Sequence, residues 1–185
     1  MVLEFLADGF EEIEALTPID TLRRAGVSVK SVAIGKNADK TVIGAHGIEV
    51  VADITEAEAL LINRAYIDMI ILPGGMPGAK HLDESEFVDG FVKWAAEEGC
   101  YVASICAAPM IPGKRGLLSG KRAVCYPGFE EFLTGAIVTD NKVETDGKYI
   151  TACGMGAALD FSLELTKLLK GEAVSEQIRC AVLAK

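Results

Sequence analysis

Four short, predominantly apolar runs recur along the chain, and each has the length and composition of a buried strand. These runs cover residues 2–7, 27–34, 67–72 and 101–105. The stretches between and after them carry apolar residues at helical spacing, which is typical of amphipathic helices. The predicted helices cover residues 10–16, 17–25, 56–63, 84–98, 106–118, 157–169 and 173–180.

Proline and glycine refine this pattern. Pro18 follows a threonine, so the first helix is predicted to kink or restart there. Residues 41–53 alternate around two glycines and predict a hairpin or excursion at a sheet edge, and a second hairpin is predicted for residues 142–152. Strands that alternate with helices predict an α/β fold whose mainly parallel sheet is covered on both faces and binds ligands at the carboxyl ends of its strands.

Composition excludes several classes of protein. The chain has 185 residues, which fits one domain over 1–185, and its net charge of −9 argues against a nucleic-acid partner. No apolar run approaches the length of a membrane span, and the first residues resemble a strand rather than a signal peptide, so we expect a cytoplasmic protein without a membrane partner. Five cysteines without a Cys-x-x-Cys pair predict free thiols, with neither a disulfide framework nor a metal site.

Cys106 is the first candidate for chemistry. It follows a predicted buried strand and precedes small residues, which places it on a sharp strand-to-helix turn. The N-terminus of a following helix would lower the pKa of the thiol and favour the nucleophilic thiolate. The alternative is a buried structural cysteine, since free cysteine is among the most buried residue types.

Two further segments end strands at the same edge of the sheet. Residues 8–14 follow the first strand and residues 73–78 follow the third, so topology brings both close to Cys106. A carboxyl group, the backbone N–H groups of Gly75 and Ala107, and a thiol together could supply an acid/base, an oxyanion site and a nucleophile.

The motifs at this edge resemble those of a known family. They are Gly9-Phe10-Glu11-Glu12-Ile13-Glu14, Arg23-Arg24-Ala25-Gly26, Leu72-Pro73-Gly74-Gly75, Ser104-Ile105-Cys106-Ala107-Ala108-Pro109 and Tyr126-Pro127-Gly128. Together they are similar to the ThiJ/PfpI superfamily and, within it, to the clade of the parkinsonism-associated deglycase. The resemblance implies a flavodoxin-like three-layer sandwich, of the class I glutamine amidotransferase-like kind, that forms a homodimer and needs no cofactor.

The resemblance also implies roles for individual residues. Cys106 would be the reactive thiol, and Glu14 would be a protonated carboxyl group that is hydrogen-bonded to it. Gly75 and Ala107 would donate their N–H groups to an oxyanion, and Gly74 would lie in the pocket.

This chain departs from the family pattern at several positions. Ala107 stands where peptidase-like members have a histidine, which disfavours a cysteine peptidase. Tyr126 and His46 replace a histidine and an arginine of the animal members, and both are candidate pocket residues. Cys153 and Met155 replace a basic residue and a proline in a loop that we expect near the pocket.

The resemblance implies glyoxalase or deglycase chemistry on small 2-oxoaldehydes such as methylglyoxal, as protection against carbonyl or oxidative stress. The alternative is a redox-sensing or chaperone protein in which Cys106 is oxidised to a sulfinate. Cys125 or Cys153 could instead act as a resolving thiol, if its sulfur approaches Cys106 closely enough for a disulfide.

Overall fold

The computed structural model describes residues 1–36 and 39–184; the expected domain also includes residues 37, 38 and 185, which lie outside the described residues. The strands are β1 Val2–Leu6, β2 Val29–Ala33, β3 Thr41–Ile43, β4 Glu49–Val51, β5 Ile54–Thr55, β6 Met69–Leu72, β7 Tyr101–Ile105, β8 Arg122–Ala123, β9 Ile137–Val138, β10 Val143–Asp146 and β11 Tyr149–Ala152. Seven of these described strands form one sheet in the order β10-β11-β7-β6-β1-β2-β5. Only β10 runs antiparallel to its neighbour, which confirms the predicted mainly parallel sheet.

Helices cover both faces of this sheet. They are α1 Glu12–Arg24, α2 Glu56–Leu60, α3 Gly78–Glu84, α4 Glu86–Glu98, α5 Met110–Lys114, α6 Ala158–Lys170 and α7 Glu172–Ala181, with short 3₁₀ turns at Arg64–Tyr66, Glu130–Phe132 and Met155–Ala157. Apolar residues of α1 and α6 form a buried cluster on one face, and those of α3, α4 and α5 form another on the opposite face. The result is the α/β fold that the pattern predicts, in the flavodoxin-like arrangement that the resemblance implies.

Alternation along the strands produces these two cores. In β1, Val2 packs towards α1 and α6, whereas Leu3 and Phe5 pack towards α4. The ring of Phe5 meets that of Phe91 edge to face, with centroids 5.5 Å apart. Such a pair adds about 0.5–1.5 kcal/mol to the free energy that burial of the two rings supplies.

The alternative of a helix that restarts at Pro18 is wrong. The helix α1 runs unbroken from Glu12 to Arg24 with Pro18 inside it. Proline removes one backbone hydrogen bond, but its φ angle suits a helix, and the buried face formed by Ala15, Ile19 and Leu22 holds the helix on the sheet.

The helix predicted from residue 106 is much shorter than expected. Residues 106–109 form turns, and α5 spans only Met110–Lys114. Pro109 disfavours a helical conformation for the residue before it, so the helix cannot begin at Cys106.

Both predicted hairpins are present. β3 and β4 pair antiparallel outside the main sheet, and β10 pairs with β11 at its edge. Among the described residues, no helix combines the length and the apolar character that a membrane crossing requires.

Candidate functional site at the carboxyl edge of the sheet

Cys106 occupies a strained turn directly after β7. Its φ angle is 63°, in the left-handed region that non-glycine residues rarely adopt. Two backbone hydrogen bonds hold this conformation: the Cys106 N–H donates to the Ala152 carbonyl oxygen at 2.9 Å, and the Tyr126 N–H donates to the Cys106 carbonyl oxygen at 2.8 Å. The predicted elbow is therefore confirmed, and it presents the partly exposed thiol at the edge of the sheet.

Glu14 reaches the same point from the first turn of α1. Its side chain is hydrogen-bonded to that of Cys106, and it is only 1% exposed. The Gly74 N–H donates to Glu14 Oε2 at 3.1 Å, and the Met155 N–H also donates to the carboxyl group. The turn that carries Glu14 is itself capped, because Glu11 Oε2 accepts the Glu14 N–H at 2.7 Å.

Gly74 and Gly75 allow the loop after β6 to pass close to these groups. A Cβ atom on Gly74 would lie 2.6 Å from Cys106 Cβ and would also overlap Glu14 Oε2. Gly75 has a φ angle of 85°, and a Cβ there would overlap the backbone of Glu11. Glycine is therefore required at both positions by contact, and at Gly75 by conformation as well.

The N–H groups of Gly75 and Ala107 adjoin the Cys106 side chain and lower the pKa of its thiol. The structure thus brings together the four residues predicted as nucleophile, carboxyl group and backbone donors. Ala107 is buried, and its short side chain packs into the apolar core beneath α5.

Burial raises the pKa of Glu14 to about 7, and the nearby charge of Glu11 acts in the same direction. The hydrogen bonds from Cys106 and from backbone N–H groups favour the carboxylate but do not offset this effect. Glu14 is therefore partly protonated near neutral pH, as the resemblance implies.

The lowered pKa expected for Cys106 is wrong. Burial and the charge of Glu14 raise the pKa of the thiol to about 12, and its hydrogen bond to Glu14 adds to the rise. The N–H groups of Gly75 and Ala107 act against this rise without reversing it. The sequence argument relied on a helix that begins at Cys106, whereas α5 begins four residues later at Met110 and has barely more than one turn.

Cys106 and Glu14 therefore form a coupled pair. Between about pH 7 and about pH 12 the two groups hold a single proton and a single negative charge. The thiolate exists in this range only when the proton resides on Glu14, so the carboxylate is placed to accept the thiol proton as the sulfur reacts.

The loop after β11 also borders the site formed by Cys106 and Glu14. A Cβ on Gly154 would lie 3.9 Å from both Cys106 Sγ and Glu14 Oε1, and 3.3 Å from Tyr126 Cδ2. Tyr126, a predicted pocket residue, is 51% exposed and so borders the site with one side open to solvent. Sequence reasoning did not single out Gly154, although its flanking residues Cys153 and Met155 were expected near the pocket.

His46, the other predicted pocket residue, is bound to Glu12. Its Nδ1 lies 2.8 Å from Glu12 Oε2, and its backbone N–H donates to Glu12 Oε1 at 2.8 Å. The side-chain hydrogen bond to Glu12 and the charge of Glu12 raise the pKa of His46. The second histidine, His81, is on α3 with its Nδ1 2.8 Å from the Asp8 carbonyl oxygen.

One group of described residues could in principle hold a metal ion. Single ligand atoms of Glu11, Glu12 and His46 lie within 4.8 Å of one another. The hydrogen bonds of Glu12 to His46, and of Glu11 to the backbone of Glu14, already explain this arrangement.

The sequence is similar to a known family and to several of its members. The sequence model of the DJ-1/PfpI family matches residues 1–168. The chain is 37% identical to the Arabidopsis thaliana protein DJ-1 homolog B over 96% of its own length but only 40% of that relative's length, so it spans less than half of that protein. It is 32% identical to a deglycase of Pyrococcus abyssi over 91% of this chain and 99% of that one.

A solved structure described as oxidised Toxoplasma gondii DJ-1 superposes on this chain. Its TM-score is 0.91 at 32% identity, and the match covers 98% of this chain and 97% of the other. The match over residues 1–168, the ordered motifs and the shared fold establish that this chain belongs to the DJ-1/PfpI family.

Proposed function

We propose that the protein converts small 2-oxoaldehydes such as methylglyoxal to hydroxy acids by glutathione-independent, cofactor-free glyoxalase or deglycase chemistry. The observation that carries the proposal is the coupled pair: a partly exposed Cys106 on a strained elbow, hydrogen-bonded to a buried Glu14 whose pKa lies at about 7. An acid/base with a pKa near the working pH is suited to repeated proton transfer. The similarity to a deglycase of Pyrococcus abyssi supports the same class of reaction.

The first step forms a bond between Cys106 Sγ and the aldehyde carbon. The thiol proton passes to the Glu14 carboxylate and from there to the aldehyde oxygen, which gives a hemithioacetal. The N–H groups of Gly75 and Ala107 adjoin the sulfur, so they can stabilise the charge that develops on that oxygen.

The second step moves a proton between the two carbons. The Glu14 carboxylate removes the proton from the carbon bonded to sulfur, and returning it to the adjacent carbon through an enediol yields a thioester. Water then hydrolyses the thioester, which releases the hydroxy acid and regenerates the thiol.

A cysteine peptidase is disfavoured. Such an enzyme would need a base like histidine beside the thiol, and Ala107 occupies the position that could supply it. Both histidines of the chain are engaged elsewhere, with Glu12 and with the Asp8 carbonyl oxygen.

We further propose that the protein acts in the cytoplasm as a homodimer. All five cysteines are free thiols, which fits a reducing compartment. The hairpin of β3 and β4 exposes Ile43, Ile48 and Val51, and α1 exposes Ile13; exposed apolar residues of this kind fit an interface between copies.

The proposed activity is tested by incubating the purified protein with methylglyoxal in the absence of glutathione and measuring lactate. The wild type should form lactate, and Cys106→Ser should lose this activity. Cys180→Ser is the matched control, because Cys180 lies exposed on α7, and it should retain it. Equal turnover by Cys106→Ser and the wild type would refute the proposal.

The second candidate is a redox-sensing or chaperone role in which Cys106 is oxidised to a sulfinate. Two N–H donors and a carboxyl group that can be protonated surround the sulfur, and together they could hold the sulfinate oxygens. The similarity to a protein whose structure is described as oxidised is consistent with this role.

A further inference from the structure

Two cysteines occupy adjacent positions at the carboxyl edge of the sheet. The parallel strands β7 and β11 pair Ile105 with Ala152 at their carboxyl ends, and the residue that follows each strand is a cysteine, Cys106 and Cys153. The hydrogen bond from the Cys106 N–H to the Ala152 carbonyl oxygen continues the ladder to this point. Neighbouring strands lie about 4.8 Å apart, which falls within the Cα separation of about 4.4–6.8 Å that a disulfide spans.

The two cysteines also share an apolar environment. Both are half-buried and both pack against the apolar cluster beneath α1 and α6. The residue after Cys153 approaches the reactive sulfur directly, since a Cβ on Gly154 would lie 3.9 Å from Cys106 Sγ. The segment 153–154 therefore flanks the sulfur of Cys106.

The other three cysteines are placed differently. Cys125 is buried in a separate cluster with Leu118 and Leu133. Cys100 precedes β7 at the opposite edge of the sheet, where its thiol faces the Ile67 carbonyl oxygen. Cys180 is exposed on α7.

We propose that Cys153 is the resolving thiol of Cys106, so that a hydroperoxide converts the pair to an intramolecular disulfide. The inference rests on the reactivity of Cys106 proposed above but not on turnover of any carbonyl substrate. This proposal extends the redox role, because the product of oxidation is a disulfide that can be reduced again and not an irreversible sulfinate.

The chemistry requires only the two thiols and the peroxide. The Cys106 sulfur attacks one peroxide oxygen and breaks the O–O bond, which gives a sulfenic acid and one water once the thiol proton is transferred. The Cys153 sulfur then attacks the sulfenic sulfur and expels its hydroxyl group, which leaves as a second water with the Cys153 proton. Two thiols are oxidised and one hydrogen peroxide is reduced to two waters.

The disulfide would remove the Cys106 thiol, which is both the nucleophile and the proton donor of the coupled pair. Peroxide would thereby switch off carbonyl chemistry, and a dithiol reductant would restore it. Capture by Cys153 would also protect Cys106 from irreversible oxidation to the sulfinate.

Peptide mapping after graded hydrogen peroxide tests the proposal. Trypsin places Cys106 in residues 94–114, together with Cys100, and Cys153 in residues 149–167. In the wild type we expect a crosslinked pair of these peptides, with fragmentation locating the link at Cys106, and its loss on reduction. In Cys153→Ser the peptide 94–114 should instead gain two oxygens on Cys106, at a peroxide dose at least about tenfold lower than in the wild type.

Cys180→Ser is the matched control and should behave as the wild type, and the urea unfolding midpoint of Cys153→Ser checks that the variant is folded. A Cys153→Ala variant repeats the test without a hydroxyl group. Sulfinate formation at equal doses in the wild type and Cys153→Ser would overturn the proposal, as would a crosslink from residues 94–114 to residues 123–142, which contain Cys125. A disulfide in a protein that does not turn over methylglyoxal would refute only the proposed function.

Discussion

Replacing Glu14 by glutamine should change how the reactivity of Cys106 depends on pH. Burial, the charge of Glu14 and its hydrogen bond raise the thiol pKa to about 12 against the opposing effect of the Gly75 and Ala107 N–H groups, and Glu14→Gln removes the charge while preserving the shape of the side chain. Two unit charges about 4 Å apart interact by about 4 kcal/mol at an effective dielectric constant of about 20. This energy corresponds to about 3 pKa units, so the thiol in Glu14→Gln should ionise near pH 9.

The same pKa values determine how much of Cys106 is thiolate in the wild type. Beside a protonated Glu14 the thiol has a pKa of about 9, and beside a neutral thiol Glu14 has a pKa of about 7. These values differ by about 2 units. Among pairs that carry one negative charge, about one hundredth therefore carry it on the sulfur and the rest on Glu14. The total fraction of Cys106 thiolate therefore stays nearly constant only from about pH 8 to about pH 9.5, above which ionisation of both groups adds to it. The rate of alkylation by iodoacetamide should therefore level off between about pH 8 and about pH 9.5 in the wild type but continue to rise past about pH 9 in Glu14→Gln.

The predicted rates are similar near pH 6 and differ by about fifty-fold at pH 9, where about half of the thiol in Glu14→Gln is ionised. Alkylation that is quenched at a series of times and followed by peptide mapping measures the rate for Cys106 alone. Glu11→Gln is the matched control, because Glu11 lies on the same turn and caps α1, and it should keep the plateau. Superimposable pH profiles for the wild type and Glu14→Gln would refute the shared proton.

Three further substitutions test other parts of the structure. Glu4 is fully buried in β1, and neither of its carboxyl oxygens is hydrogen-bonded. Burial raises its pKa well above 4.5. Its contribution to the free energy of unfolding is therefore present below about pH 4.5 and is lost as pH rises towards the pKa in the folded protein. Glu4→Met should thus raise the free energy of unfolding by about 1–3 kcal/mol, more at pH 8 than at pH 5, and equal gains in urea unfolding at the two pH values would contradict this. Gly74→Ala should displace Glu14 and lower methylglyoxal turnover by about a hundred-fold or more without unfolding the protein, whereas unchanged kinetics would show that the close contact is not needed. Val51→Glu places a charge on the exposed hairpin and should shift sedimentation from dimer to monomer, and an unchanged dimer would exclude this surface as the interface.

The position of the site was predictable because it depends on local pattern and topology. An apolar run followed by small residues located Cys106 at the end of β7, and parallel strands bring the residues after β1 and β6 to the same edge. The resemblance then selected Glu14 among the neighbouring carboxyl groups of the first helix.

The electrostatics of the site could not be read from the sequence. The thiol pKa depends on how deeply Glu14 is buried and on where the next helix starts, and both follow from packing in three dimensions. Burial of Glu4 inside a strand was equally hidden, because its apolar neighbours gave no sign that the carboxyl group lacks a partner. The contact of Gly154 with Cys106 arises between β7 and the loop after β11, which are distant in sequence.

The proposed mechanism is tested most directly by trapping the covalent intermediate on Cys106. Protein mixed with methylglyoxal and quenched with acid within one turnover should carry one substrate equivalent on residues 94–114, located at Cys106. Glu14→Gln can form the bond to sulfur but cannot return the proton between the carbons, so its adduct should accumulate while lactate formation falls by about 10²–10⁴-fold. Continued lactate formation with Cys106 unmodified, or with the adduct on another cysteine, would contradict the account.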